Sequence, residues 1–263
     1  MSVTHLPNTH YTSLLSAHEN NLVGQDVSWL NSLRKKAIEA FSVTGFPTLR
    51  EEEWRYTNIS PIEKKQFTVS EQAGKIDAVF VKTVLLEGCY HLVFVDGFYQ
   101  AELSSMDGLP DGVTVSALSE GLSEHEALVK SLLDSTVEST ALGFINFNTA
   151  LFTDGAVISI AENTVLEKPI QLAFISSKEA ALKLSNSRNL VLAKASSKAS
   201  VIETFHAVEA SCYHTNVITE VVVEPNANLT HNRFQAESLK AFHIGGVYSR
   251  LEKNAIFNQY NYT

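Results

Sequence analysis

Three alanines, Ala199, Ala227 and Ala255, stand 28 residues apart, and each is followed two positions on by an apolar residue, Val201, Leu229 and Phe257. A fixed period of this length is the signature of a solenoid, whose repeats are too small to enclose their own apolar faces and must stack to do so. A second register runs beside the first: Leu190, Val217 and Ile244 recur every 27 residues, and Asn-Ala appears at 226–227 and again at 254–255. Each turn therefore carries two strand-like segments. The first reads NLVLA, NVITEVVVE or HIGGVYSRLE and the second ASVIETF, ANLTHNRF or AIFNQYNY, all rich in the β-branched and aromatic residues that suit a pleated surface. Stacked turns of 27–28 residues make a β-helix, each buried Val, Leu or Phe contributing roughly 1.5–3 kcal/mol. The competing architecture is a β-sandwich with coincidental spacing.

Upstream of the repeat the pattern changes. Leu30, Leu33, Ala37, Ile38 and Phe41 mark one helical face, after a cap at Asp26 or Ser28 and before a stop at Gly45 and Pro47. At 91–103, HLVFV and FYQAEL flank Asp96-Gly97, the dipeptide a two-residue hairpin turn favours because both central residues need positive φ. LSEHEALVKSLL predicts an amphipathic helix starting near Ser123, with Glu126 completing a capping box. From Asp154-Gly155, AVISIAEN and KPIQLAFIS read as the first solenoid turn, and SSKEAALKLSNS as an insertion before the regular repeat. The expected organisation is a helical region over 1–70, a mixed α/β region with a hairpin over 71–150, and a β-helix over 151–263. Thr263 falls within or just after a strand, with no polar cap over the stack. Solenoids need caps, so the expectation is a fragment or interrupted product that self-associates through its open β-helix end.

With 44% hydrophobic residues in 263, the chain can bury one large core or two modest ones. Its net charge of -9, with no basic cluster, argues against nucleic acid or an anionic membrane as the main partner, since either is bound through clustered Lys and Arg. The N-terminus lacks the basic start and apolar stretch of a signal peptide, and nowhere do 18 apolar residues run together, so a cytoplasmic location is expected. Cys89 and Cys212 lie far apart and outside any CxxC or Cys/His cluster. They are read as two buried free thiols, with no disulfide framework or zinc site.

Glu203, His231 and Gln259 also stand 28 apart and would form a ladder. If it faced inward, polar groups would line the solenoid axis at a cost that only pairing or a ligand offsets; the expectation is that a bend after residue 201 turns them outward. His206, Cys212 and His214 are close in sequence, but HxxxxxCxH matches no metal-ligand spacing, and they are read as loop residues. Glu51, Glu52, Glu53 and Arg55 beside Trp54 and Tyr56 are read as a solvated helix start with two anchoring aromatics, a partner site being the alternative. An enzyme acting on polysaccharide would want paired carboxylates. Asp154 is the last aspartate, leaving Glu203, Glu220, Glu224 or Glu237, among which no matched pair emerges. No residue is assigned a catalytic, cofactor-binding or metal-binding role.

Five segments, GFPTLREEEWRYTNI (45–59), LVFVDGFY (92–99), FNTALFTDGAVISI (147–160), KPIQL (168–172) and RNLVL (188–192), occur in one order across the chain. Together they resemble the SufD branch of the SufB/SufD family, the scaffold subunits of the Suf iron-sulfur cluster assembly system; the N-terminal match favours SufD over SufB. The resemblance implies a right-handed parallel β-helix and a non-catalytic assembly role, with SufB and the ATPase SufC as partners. It implies no cofactor held by this chain alone, and an iron-sulfur cluster present transiently in the assembled complex. SufD proteins continue into further turns, a C-terminal helical segment that contacts SufC, and a histidine credited with cluster-site chemistry. No residue of this sequence matches that histidine.

Overall fold

The computed structural model describes residues 9–137 and 143–263. In chain order the elements are α1 (Thr9–His18), α2 (Ser28–Thr44), α3 (Ser60–Lys65), β1 (Thr68–Val69), α4 (Ala78–Val84), β2 (Tyr90–Val95), β3 (Phe98–Tyr99), β4 (Val113–Ala117), α5 (Leu118–Glu124), α6 (Glu126–Leu132) and α7 (Gly143–Leu151). Then come β5 (Ala156–Ile160), β6 (Ile170–Ser176), β7 (Lys183–Ala193), β8 (Lys198–Ala207), β9 (His214–Val223), β10 (Asn228–Ala236), β11 (Phe242–Leu251) and β12 (Ile256–Tyr262). The fold is mostly β, a parallel β-solenoid of about four turns after an N-terminal helical and mixed region. Each turn gives one strand to each of two sheets, ordered β11-β9-β7-β5-β4 and β12-β10-β8-β6-β2-β3. Pairing is parallel throughout β5 to β12, and antiparallel where β4 meets β5 and β3 meets β2.

The 28-residue period holds only for the last turn, and the 27-residue register for none, since Val217 pairs with Gly245 and not with Ile244. Leu229 pairs with Phe257, an offset of 28, but Leu229 pairs with Ala199 and Ser187 with Val217, offsets of 30. Neither Ala199 with Ala227 nor Leu190 with Val217 is a stacked pair. What does stack is the corner: Asn163, Ser196, Asn226 and Asn254 each hold a positive φ near 60°. The amide N–H of each of the first three donates to a carbonyl of the next turn's corner, on Ala195, Pro225 and Lys253. Asn tolerates this left-handed conformation better than most residues, which is why Asn-Ala repeats; Ser196 hides the third copy. Ile158 and Leu172 confirm AVISIAEN and KPIQLAFIS as the first turn, but only the middle of the expected insertion lies outside the strands, because Ser176 ends β6, Lys183–Ser187 belong to β7 and Leu184 is fully buried.

Three apolar layers hold the molecule together. The solenoid interior packs Leu92, Ile158, Leu172, Val191, Val201, Val217 and Leu229 among others. Helices α1, α2 and α7 cover the outer face of the β7/β9 sheet around Tyr11, Phe41, Phe46, Phe144 and Phe147, and α4 covers the other sheet over Val93 and Ala173. Every residue of α7 is buried. Helix α2 starts at Ser28 without a side-chain cap, after Val27, and ends as expected at Gly45, whose positive φ lets its N–H reach Phe41 O at 2.7 Å. The stretch expected to be one helix from Ser123 is two, α5 and α6, broken at His125; the capping carboxylate is Glu120, which accepts from the Ala117 N–H. Asp96 and Gly97 both take positive φ in the turn between β2 and β3, as the sequence predicts, although β2 pairs mainly with β6 and FYQAEL is strand only at Phe98–Tyr99. Among the described residues no helix is long and apolar enough to cross a membrane.

Candidate functional site: the polar interior of the solenoid

Inward positions run in rows from turn to turn. One row is Leu92, Leu172, Glu203, Arg233 and Asn261; its neighbours are Tyr90, Ile170, Val201, His231 and Gln259, and Phe94, Phe174, Phe205 and Gln235. All three are apolar at the start. The third is a stack of phenyl rings, with centroids 4.9 Å apart from Phe94 to Phe174 and again from Phe174 to Phe205. Polarity enters with Glu203 and persists.

Glu203 is completely buried, and β8 runs unbroken, so alternation carries Glu203 inward with Val201 and Phe205. This overturns the expected outward bend. It also corrects the ladder: His231 and Gln259 are register partners, but Glu203 stands beside Arg233. The carboxylate reaches the whole surrounding shell. Arg233 Nε donates to Oε2 at 2.8 Å, Thr219 and Asn189 donate to Oε1 from the opposite sheet at 2.5 and 3.0 Å, and His231 Nε2 lies 3.2 Å from Oε1. Burial works to raise the Glu203 carboxyl, but Arg233 and His231 outweigh it and hold it well below the usual carboxylate range. His231 Nδ1 has no hydrogen-bond partner among the described residues.

A second buried ion pair lies on the outer face of the same turns. Arg188 Nη2 meets Glu220 Oε1 at 2.7 Å, and Arg188 Nη1 donates to Asn148 and Thr149 of α7. The backbone N–H of Asp134 donates to the same Glu220 oxygen, Oε1, and that of Thr136 to Oε2. This pair ties the segment after α6, and α7 itself, to the solenoid. Burial opposes ionisation of Glu220, yet Arg188 keeps it below its ordinary value.

The remaining candidates are scattered. His206 and His214 are strand residues, not loop residues; only Cys212 lies in the corner between β8 and β9. His214 is buried against Phe67 and Phe144, and burial, helped by His243, drops it to about 3. Glu237 binds His243 Nδ1 at 2.6 Å and accepts from Thr215 at 2.8 Å, and Glu224 accepts from the Ala195 N–H. All four glutamates considered for sugar chemistry are thus engaged. Cys89 is buried, whereas Cys212 is partly exposed. Near the N-terminus, Glu52–Trp54 form a 3-10 turn and Trp54 packs on Phe144 at 5.4 Å, but Tyr56 is solvent-exposed under Arg55, so only one of the two aromatics anchors. Among the described residues no group of three or more His, Cys, Asp or Glu side chains could hold a metal ion.

The buried arginines escaped the sequence reading. Arg188 and Arg233 occupy positions of the alternating strand pattern that face a core, and an arginine there is the available sign of a buried acidic partner.

Fold and interior together define a parallel β-solenoid protein with an N-terminal helical layer and internally neutralised charges. Its sequence matches the SufBD protein N-terminal region over residues 6–172 and the SUF system FeS cluster assembly SufBD core domain over residues 174–263. The chain belongs to the SufBD family. It is 28% identical over 233 residues to the iron-sulfur cluster assembly SufBD family protein slr0076 of Synechocystis sp., covering 84% of this chain and 51% of that protein. It is 29% identical over 232 residues to Protein ABCI7, chloroplastic, of Arabidopsis thaliana, covering 85% of this chain and 48% of that protein. The chain spans about half the length of these curated relatives.

Proposed function

We propose that this chain is a SufD-type, non-catalytic scaffold subunit of the Suf system, working in the cytoplasm with SufB and the ATPase SufC. In this reading the iron-sulfur cluster is cargo of the assembled complex, and no cofactor is held by this chain alone. The observation that carries the proposal is the unbroken succession of the family's N-terminal region and core domain along the chain. The interior supports it: carboxylates that could serve hydrolysis are spent on Arg188, Arg233 and His243, as suits a body that presents surfaces.

The test is co-purification. The tagged chain is expressed in cells that make SufB and SufC, and captured proteins are identified by mass spectrometry. Recovery of SufB is the expected result; a soluble, folded sample that captures neither subunit contradicts the proposal.

A further inference from the structure

Glu51, Glu52 and Glu53 stand apart from the buried charges of the solenoid, because none of them has an ion-pair partner among the described residues. The two arginines of the same segment are directed elsewhere. The Arg55 guanidinium lies 5.6 Å from the centre of the Tyr56 ring, and Arg50 lines a separate groove with Asn58, Ile59 and Glu63. Glu51 accepts the Thr48 N–H at 2.8 Å, a neutral donor that leaves its charge unbalanced.

Glu51 and Glu53, but not Glu52, line a cavity of about 110 Å³ between this segment, the start of α7 and the outer face of β9 and β11. Its walls include the rings of Trp54, Phe144 and Tyr248 with Ile218 and Ile244, and no lysine, arginine or histidine lines it. Trp54 and Phe144 pack with centroids 5.4 Å apart. The Tyr248 ring lies over Gly246, where a Cβ would fall 2.5 Å from it. Burial pushes the Tyr248 hydroxyl up, Arg188 works against that, and the charge of Glu53 adds to it. Arg188 is itself matched by Glu220. Aromatic faces and unpaired carboxylates around one apolar cavity are what a cation leaving water needs, ring quadrupoles at its sides and counter-charges at the mouth. The volume has room for several waters, which suits the head of one long side chain.

We propose that this cavity is a docking site for a basic side chain, lysine or arginine, presented by a partner protein, with Glu51 and Glu53 as its counter-charges. Charge complementarity selects that occupant: the lining carries two carboxylates and no cation, and the chain's net charge of -9 favours the approach of a basic partner. The site is separate from the solenoid interior and does not depend on the assembly role.

The peptides acetyl-Gly-Arg-Gly-amide and acetyl-Gly-Lys-Gly-amide, with acetyl-Gly-Gln-Gly-amide as the neutral control, are titrated into the purified chain at constant ionic strength. Trp54 fluorescence is the readout, in a Trp29→Phe background that leaves Trp54 the sole tryptophan. A saturable change is expected with at least one cationic peptide and none with the glutamine peptide. Glu53→Gln is expected to weaken binding about threefold, and Glu51→Gln combined with it about tenfold or more, while Glu52→Gln leaves binding unchanged. All three glutamates are exposed, so these variants keep the fold. No saturable change, an equal response to the glutamine peptide, or an equal loss in Glu52→Gln and Glu53→Gln overturns the proposal.

Discussion

Glu203 and Arg233 are register partners on adjacent turns, and their side chains meet inside the solenoid with Arg233 Nη2 2.6 Å from Glu203 Oε2. Neither group can be removed alone without leaving the other charged and buried. Glu203→Leu and Arg233→Met are each expected to cost about 3–5 kcal/mol, while the double variant recovers much of that loss. Urea unfolding of the four proteins gives the coupling energy. Additive single losses would show that the two side chains act independently.

The phenyl stack is the apolar counterpart of that pair. Phe174 lies between Phe94 and Phe205, nearly parallel to both, so Phe174→Ala empties a site closed on both sides. A loss of about 3–5 kcal/mol is expected, with Phe174→Leu losing clearly less. Equal losses from the two variants in urea unfolding would show that ring stacking and volume are not what the position supplies.

Gly155 has no room for a side chain, since a Cβ built on it falls 1.9 Å from Arg188 O. Both groups belong to the backbone around the buried Arg188, so neither can rotate away. Gly155→Ala is expected to cost about 3 kcal/mol or more, read as a lowered thermal midpoint. An unchanged midpoint would mean that this junction of helical layer and solenoid is looser than described.

His214 makes acidification destabilising. It titrates near 3 when folded against roughly 6.5 when unfolded. Between those values the unfolded chain holds a proton that the folded chain lacks, so stability is full above about pH 6.5 and falls as the pH falls, by up to roughly 1.4 kcal/mol per unit. Asp154 acts oppositely. Burial raises it to about 6 from roughly 3.9, so the folded chain binds the extra proton and stability rises as the pH falls through that window. Unfolding measured near pH 8 and pH 5 is expected to show a smaller acid loss in His214→Leu and a larger one in Asp154→Asn. The reverse order would contradict both assignments.

How much of this was legible depends on which residue carries the signal. The solenoid was readable because Val201, Leu229 and Phe257 are apolar at recurring inward positions, and the last offset of 28 is the true one. The earlier register was not, because the corner between β8 and β9 is longer than that between β10 and β11, and Ser196 stands where later turns have Asn226 and Asn254. Equal spacing therefore aligned Glu203 with His231 when its register partner is Arg233. The ion pairs were hidden for a different reason. Glu203 and Arg233 lie 30 positions apart, as their pairing shows, and no local pattern says that two charges so far separated neutralise each other. Arg34 was passed over in the α2 stripe because a charge interrupts an apolar periodicity, although the buried face runs straight through it.

The scaffold account is tested most directly by native mass spectrometry of the purified chain mixed with purified SufB and SufC. The account predicts a discrete species whose mass contains this chain's 28.9 kDa together with SufB, surviving in buffer free of iron and sulfide because the interface belongs to the proteins. Spectra showing only the separate subunits, with the chain folded by circular dichroism, would contradict it.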